Sequence, residues 1–288
     1  MKNNATVFFL LIVLLVVTAC DKEAGDIPAY MQVPSVSLST DLGQGSTSHR
    51  ITDLWINLGD EFHGTYVVGS DIPVLENGRT PVSIFPGVKM NGSIGFPTIY
   101  NMYAPYRDTI DFSPMEKEIF DIEFKYKENA FFALQEDFEQ PHRLNVDLDE
   151  FDTTRIVRTR DDVKWGAFAG EITLTKEFPR FKVASDLIFN ELNVPNRRVF
   201  LELDYKSDET FFIGFRGNRN GLSPDNLLDA VISPQEEWNK IYFDFSNFVN
   251  GTNWDYYQLM IEGAWTQEDT NAVSKIYLDN IKLTYLLP

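Results

Sequence analysis

The sequence is poor in the side chains from which metal centres and nucleophilic active sites are built. Its 288 residues include one cysteine and three histidines. A single thiol cannot form a disulfide within the chain. His49 and His63 stand alone without the spacing of metal ligands, so we interpret them as structural, and His142 has no evident partner. Motifs such as G-x-S-x-G, H-E-x-x-H and the phosphate-binding Gly-Lys-Ser/Thr loop are missing, and no catalytic residue is nominated.

Positive charge is also scarce. The chain carries 43 Asp and Glu against 25 Lys and Arg, which gives a formal net charge of −18 at pH 7. Because so acidic a surface repels phosphate backbones, we expect no nucleic-acid partner. The acidity fits either cation binding or plain solubility.

Long apolar runs are confined to the first twenty residues. Lys2 gives a positive start, residues 7–17 are apolar, and Thr18 and Ala19 lead into Cys20. The run is too short for a spanning helix, which needs about 20 apolar residues. Its three-part layout is instead typical of an export signal.

The end of this segment, Val17-Thr18-Ala19-Cys20, resembles the lipobox of bacterial lipoproteins. The resemblance implies that residues 1–19 are a signal peptide and that Cys20 becomes the lipidated, palmitate-bearing N-terminus. Several acyl chains would make the membrane anchor effectively permanent. Residues 20–26 then form a short charged tether, which resembles the export tag of Bacteroidetes-type surface lipoproteins. That implies an outer-membrane protein at the cell surface, with the periplasmic face as the alternative.

Residues 27–128, the first module, predict a small β-sandwich. Residues 51–58 alternate in polarity and place Leu54, Ile56 and Leu58 on one face. Asn91-Gly92 is a strong tight-turn pair. The order of strands and turns resembles PEGA-like and carboxypeptidase-regulatory-like β domains, which implies a spacer or contact module. The residues that carry this resemblance are Trp55-Ile56-Asn57-Leu58-Gly59, Gly64, Pro73-Val74-Leu75, Gly78 and Pro86-Gly87.

The aromatic run of residues 100–106 in this module has two interpretations. It forms either an exposed contact patch or packing beneath a loop, and the second is favoured.

Residues 129–288, the second module, predict longer strands, and the whole chain is therefore assigned to the all-β class. Aromatic residues make up 14% of the sequence, which favours strands. Alternating or β-rich segments occur at residues 199–205, 211–215, 238–245, 256–261 and 275–283.

The opening Asp137-Phe138-Glu139 and the closing residues 277–283 resemble the carbohydrate-binding-module type of β jelly roll, also called galactose-binding-like. The resemblance implies that the first and last strands are neighbours, with a structural calcium ion between their acids. Glu139 and Asp279 match those positions and Asp137 is a spare, and backbone carbonyls would complete the shell. The alternative is that these are ordinary acids at strand ends.

A jelly roll of this type also suggests glycan binding. Sugar rings stack on exposed aromatic rings, and their hydroxyls need polar neighbours. The aromatic candidates are Trp165, Trp254, Trp265 and Tyr256, and the polar candidates include Arg216 and Arg219. The alternative for each tryptophan is core packing, which we predict for Trp238 and Tyr257.

The leading hypothesis is therefore a non-catalytic, lipid-anchored surface protein whose jelly roll binds glycan, with the first module as a spacer. The alternative is a structural lipoprotein that binds a protein partner in an envelope assembly, and a glycoside hydrolase ranks third. A concave face with two or more tryptophans favours glycan, a flat apolar patch favours a protein partner, and two facing buried acids favour hydrolysis.

Overall fold

The computed structural model describes residues 27–93, 95, 97–149 and 153–288. The predicted signal peptide, Cys20 and the tether lie outside the described residues. Within the described ranges, no helix has the length and apolarity needed to cross a membrane.

The first module is built from short strands around one longer one. They are β1 (Ala29–Gln32), β2 (Val36–Ser39), β3 (Asp53–Leu58), β4 (Glu61–Val67), β5 (Asp71–Val74), β6 (Gly78–Lys89), β7 (Pro97–Ile99), β8 (Tyr106–Phe112), β9 (Lys117–Ile119) and β10 (Ile122–Lys125).

These strands form a small sandwich. One sheet has the order β4-β3-β6-β7 with β8 also beside β6, and it shares a core with the smaller sheets β5-β1-β9 and β10-β2. Leu54, Ile56 and Leu58 of β3 are buried together, as their alternation predicts. The Asn91-Gly92 turn is confirmed, since both residues have positive φ.

The strand that the pattern predicts from Gly64 onward is β4, which begins slightly earlier, at Glu61. One predicted strand end is wrong, because Pro86-Gly87 lies inside β6, where Pro86 and Gly87 pair with Leu54 and Asp53 of β3. Proline lacks only its own N–H, so a strand continues through it when that donor is not needed by the ladder.

The second module contains the remaining strands and a short helix. They are β11 (Ala130–Glu136), β12 (Val146–Asp147), β13 (Val157–Thr159), β14 (Ala169–Leu174), β15 (Arg180–Ala184), β16 (Val199–Ser207), β17 (Phe211–Asn218), β18 (Asp225–Ile232), β19 (Gln235–Asp244), α1 (Ser246–Thr252), β20 (Tyr256–Ala264) and β21 (Ser274–Leu286).

Its two sheets enclose a large apolar core. The first sheet has the order β13-β14-β21-β16-β19 with β11 beside β21, and the second has the order β12-β15-β20-β17-β18. The all-β prediction is confirmed. The adjacency of the first and last strands of the module is confirmed too, because β11 pairs antiparallel with β21.

The first module covers part of the outer face of the first sheet of the second module. Phe200 of β16 and Tyr242 of β19 belong to the core of the first module, and the ring of Tyr100 lies 5.3 Å from that of Phe200. The run of residues 100–106 is therefore packed, as favoured above, but what it packs beneath is this sheet. The two modules meet through a true core contact.

Candidate functional site

A cavity of about 580 Å³ lies where the two modules meet, at the uncovered edge of this outer face. We call it the junction cavity. It is bounded by residues 47–50 of the first module, by the loop of residues 161–168 and by strands β16 and β19. Its lining residues are Thr47, Ser48, His49, Arg50, Lys164, Trp165, Asp204, Gln235, Glu237, Trp238, Asn239 and Lys240.

Trp165 is an exposed aromatic residue that lines one side of this cavity. Half of its surface is accessible (50%). Its backbone N–H donates to Asp279 Oδ2 at 2.9 Å, while Glu139 Oε1 accepts the N–H groups of Ala167 at 2.6 Å and Phe168 at 3.0 Å. Two carboxylates thus hold the loop that carries the ring, so that the ring is placed before a ligand arrives.

Gly166 makes this arrangement possible. It has a φ of +75°, and a Cβ there would lie 2.3 Å from Glu139 Oε1. A side chain there would displace the Glu139 carboxylate from the N–H groups of Ala167 and Phe168, and the positive φ itself favours glycine.

Trp238 is the second aromatic residue of the cavity. Its Nε1 donates to Asp162 Oδ1 at 2.6 Å, and Lys206 Nζ donates to the other carboxylate oxygen of Asp162 at 2.7 Å. Burial raises the pKa of Asp162, but the hydrogen bonds from Lys206 and Trp238 outweigh it and hold that pKa below its ordinary value. The acceptor of the indole N–H therefore stays ionised, which fixes the edge of the ring.

The core assignment of Trp238 is wrong, and a sequence signal for its true position exists. Ile241 and Phe243 of β19 point into the core, so the alternate residues Trp238, Lys240 and Tyr242 point to the outer face. The first module covers Tyr242 and stops short of Trp238, which remains partly exposed.

The floor of the cavity is a buried charge pair. Asp204 Oδ1 accepts a hydrogen bond from Ser48 Oγ at 2.9 Å, and Lys240 Nζ lies 3.5 Å from Asp204 Oδ2 and 3.3 Å from Glu202 Oε2. Neither Lys240 Nζ nor Asp204 Oδ2 has a hydrogen-bond partner among the described residues. Buried polar atoms normally find such partners, so the pair leaves hydrogen-bonding capacity at the cavity floor.

His49 lines the cavity, although its surroundings in the sequence predict only a structural or incidental residue. Burial and the neighbouring charge of Lys240 lower its pKa, against a smaller opposite effect of Asp204. The imidazole is therefore neutral near pH 7. Its Nδ1 accepts the backbone N–H of Ile51 at 3.4 Å, which leaves Nε2 as a donor. His63 and His142 do not reach this cavity, and each bonds a backbone carbonyl.

A second cavity of about 540 Å³ adjoins the first, and we call it the extension cavity. The two share four lining residues and form one elongated depression along the module boundary. Asn91 and Gly92 border the extension cavity on the side of the first module. The shared residues are Arg50, Gln235, Asn239 and Lys240.

The other predicted aromatic ligands lie elsewhere. Trp254 is 6% exposed and packs against Phe248 and Tyr257, so its ligand assignment is wrong and the core alternative holds. Trp265 is partly buried against the core of the second module. Trp254 lies just before β20 and Trp265 just after it, so their positions in the sequence do not distinguish core packing from ligand contact.

Tyr256, Arg216 and Arg219 lie on or beside the second sheet, away from the junction cavity. Arg216 Nη1 donates to Gln258 Oε1 at 3.3 Å, and Tyr256 pairs in register with Asn218. Another cavity on this sheet, of about 430 Å³, has Phe212 as its partly exposed aromatic residue. The charges of Lys182 and Glu262 there pair with one another at 2.8 Å.

The predicted calcium ligands do not fit a cation in the arrangement that the structure shows. Oxygens of Glu139 and Asp279 already accept backbone N–H groups, and Asp137 Oδ1 accepts the N–H of Glu139 at 3.1 Å. Calcium needs six to eight oxygen ligands, and N–H donors occupy the positions that it would take. No cluster of three or more His, Cys, Asp or Glu side chains in the described ranges is placed to hold a metal. Calcium binding stays a prediction that this geometry does not support.

Comparison with known proteins gives a loose likeness to carbohydrate-binding modules. The CBM22-1 xylan-binding domain of Xyn10C from Paenibacillus barcinonensis is 14% identical, with a TM-score of 0.35 over 56% of this chain and 99% of that domain. A family 30 carbohydrate-binding module is 15% identical, with a TM-score of 0.41 over 56% of this chain and 90% of that one.

A third structure, from work on the promiscuous specificity of carbohydrate-binding modules of the β-sandwich superfamily, is 15% identical. Its TM-score is 0.34 over 81% of this chain and 84% of that one. No protein-family model matches the chain, and no curated protein matches it. Identities and TM-scores this low carry neither a ligand nor a binding residue to this chain.

Proposed function

We propose that the protein is a non-catalytic, lipid-anchored cell-envelope protein that binds glycan in the junction cavity. The observation that carries the glycan assignment is the placement of Trp165 and Trp238 in one cavity with uncommitted polar side chains. This is the feature that distinguishes a sugar site from a flat apolar contact surface.

The cavity offers both kinds of contact that a sugar requires. The apolar face of a pyranose ring packs on an aromatic ring, and its hydroxyls need donors and acceptors. Around the two tryptophans, Gln235, Glu237 and Asn239 provide both. A volume of about 580 Å³ lies within the ordinary range of small-molecule sites, which is roughly 300–1,000 Å³.

The positions of the acidic residues in the cavity favour glycan binding over glycan hydrolysis. A glycosidase needs two carboxyl groups that flank the bond to be cleaved. Asp204 is buried and engaged by Ser48 and Lys240, and Glu237 is exposed on the neighbouring strand. Their environments do not resemble those of a facing acid pair.

The first module has a larger part in this proposal than that of a spacer. Residues 47–50 form one wall of the junction cavity, and Arg50 also borders the extension cavity. We therefore assign the binding site to both modules together.

We further propose that a lipid on Cys20 anchors the protein in the outer membrane, at the cell surface, with the periplasmic face as the alternative. The support is the lipobox-like Val17-Thr18-Ala19-Cys20 after a short apolar segment. Cys20→Ala should move the protein from the membrane fraction to the soluble fraction or leave it unprocessed. Unchanged fractionation would contradict the anchor.

A glycan array tests the binding proposal. Wild-type protein should retain at least one glycan class, and Trp165→Ala and Trp238→Ala should each weaken that signal at least tenfold. Tyr256→Ala, on the second sheet, is the matched aromatic control and should bind like wild type. An array without any binding, or a loss confined to Tyr256→Ala, would contradict the proposal.

A protein partner is the second candidate. Leu227, Leu228 and Val231 are exposed along β18, which is the edge strand of the second sheet. Exposed apolar residues on an unpaired edge are typical of contact surfaces. This candidate would be favoured if the glycan array shows no binding and the protein binds a specific envelope protein. Leu228→Lys should then abolish binding of that protein.

A further inference from the structure

We propose that the glycan bound in the junction cavity is acidic, a saccharide chain that carries uronic-acid carboxylates or equivalent anionic groups. This inference rests on the proposed function and specifies its ligand class.

The first observation is that two cations at the cavity are uncommitted. The side chains of Arg50 and Lys164 are exposed, and neither makes an ion pair or a hydrogen bond with another described residue. In a chain with a net charge of −18, carboxylates are plentiful. Several other cations form ion pairs with a carboxylate, as in Lys89–Asp53, Lys206–Asp162 and Lys182–Glu262.

The second observation concerns the acids beside these cations. Asp204 and Glu202 share Lys240, and Glu202 also lies in the field of Lys282, so the buried charges of the floor largely offset one another. Asp279, behind Trp165, has its oxygens occupied by backbone N–H groups. Glu237 is the remaining carboxylate of the lining, so one uncompensated acid stands against the two cations Arg50 and Lys164.

The negative net charge of the protein makes this local excess of positive charge informative about the ligand. An anionic saccharide is repelled by the overall field of the protein, so a site for it needs local cations. A guanidinium binds a carboxylate through two parallel hydrogen bonds, and an ammonium adds a point charge. Arg50 borders both cavities, so it stands where a chain crossing from one to the other would pass.

A neutral glycan would use the tryptophans and amides of this cavity and could accept hydrogen bonds from the two cations, but it would gain no charge–charge attraction from them. The two ligand classes therefore differ in one measurable property, which is the effect of removing the carboxylate charge from the ligand.

Isothermal titration calorimetry with matched ligand pairs tests the inference on the whole protein. The ligands are tetragalacturonate, a methylglucuronosyl-xylotetraose and a chondroitin tetrasaccharide, each beside its carboxyl-reduced neutral form. We expect at least one acidic member to bind tenfold or more tightly than its neutral form in 50 mM salt. That advantage should shrink at 300 mM salt, because exposed charges are screened.

Substitutions test whether the preference for the acidic form arises in the junction cavity. Arg50→Gln and Lys164→Gln should each weaken binding of the acidic form by a larger factor than binding of the neutral form, and so remove about half or more of the acidic preference. Arg219→Gln removes an exposed arginine remote from the cavity and should behave like wild type. Glutamine at residue 50 keeps the backbone N–H that bonds the Tyr242 hydroxyl at 2.9 Å, so the fold is preserved.

The outcomes distinguish failure of the acidic assignment from failure of glycan binding itself. Neutral forms, or neutral glycans on the array, that bind as tightly as the acidic ones would overturn the acidic assignment and leave glycan binding standing. An acidic preference that Arg50→Gln and Lys164→Gln do not alter would also overturn it. Absence of binding by every glycan would overturn both.

Discussion

The backbone N–H of Trp165 donates to Asp279 Oδ2 across 2.9 Å, which ties an exposed ring to a buried carboxylate. Burial raises the pKa of Asp279 to about 7, against the lowering effect of the N–H groups of Trp165 and Asn280. The charge on Asp204 makes a smaller contribution to this raised pKa. The residue that positions the aromatic platform therefore titrates near neutral pH.

Asp279 predicts a pH dependence of stability. Its folded pKa of about 7 exceeds its ordinary value of 3.8, so the folded state holds a proton that the unfolded state has lost. The stabilisation is full below about pH 4 and is lost as the pH rises through 7. Against pH 5, the wild type at pH 8 should lose roughly 1–3 kcal/mol that Asp279→Asn does not lose. Urea unfolding of both proteins from pH 5 to 8 measures this, and parallel curves would contradict it.

The same residue predicts an opposite pH dependence of glycan affinity. Ionised Asp279 is the stronger acceptor for the Trp165 N–H, so the loop is held best above pH 7. Affinity should fall several-fold between pH 8 and pH 5.5 in the wild type, and Asp279→Asn should be weak and flat across that range. Calorimetric titrations at the two pH values check this. An affinity that is independent of pH in the wild type would contradict it.

Gly166 predicts a steric effect on the loop. Alanine there would meet Glu139 Oε1 at 2.3 Å in a conformation with φ +75°. We expect Gly166→Ala to cost about 2–3 kcal/mol of stability and to weaken glycan binding.

Gly221→Ala is the matched control, because Gly221 has φ +68° and open space around its Cβ position. It should cost only the backbone strain, about 1 kcal/mol, and leave binding intact. Equal losses of stability for the two variants in urea would show that Glu139 does not constrain the loop.

Glu202 lies in the contact between the modules, and its substitution measures how much that contact contributes to the stability of the protein. It is fully buried, accepts the hydroxyls of Tyr100 at 2.9 Å and Tyr126 at 2.8 Å, and pairs with Lys240. Glu202→Ala should cost about 3–5 kcal/mol, because it leaves the buried hydroxyls of Tyr100 and Tyr126 without their acceptor and removes the nearer of the two carboxylates that pair with Lys240.

The control is Glu237→Ala, which removes an exposed acid on the neighbouring strand and should change stability by about 0.5 kcal/mol or less. Denaturant unfolding of the two variants measures the difference. A loss below about 1 kcal/mol for Glu202→Ala would mean that this cluster does not join the modules.

The sequence predicts the strands well and the site only in part. The alternation in β16 identifies Leu201 and Leu203 as core, and the same alternation assigns Glu202 and Asp204 to solvent. The structure buries both acids, because the first module covers that face. Local periodicity reports which residues share a face, whereas coverage of the second face depends on a contact between residues far apart in the chain.

The binding candidates show the same limit. Trp165 is one of three tryptophans that the sequence analysis names as ligand candidates, and it is the one of the three that lines the cavity. Trp238 sits in an apolar strand and is missed, although its spacing from Lys240 and Tyr242 places it on the outer face. The acids expected to hold calcium instead bind N–H groups of the loop 164–168, because the backbone of that loop turns its donors toward them. No residue-type signal reveals such a contact.

The most direct test of glycan binding at the module junction is a crystal structure of the protein with the tightest saccharide from the array. We predict a sugar ring stacked within about 4 Å of Trp165 or Trp238, with hydroxyls hydrogen-bonded to Asn239 or Glu237. A saccharide seated instead on the second sheet beside Phe212 or Tyr256, with none in the junction cavity, would contradict the account.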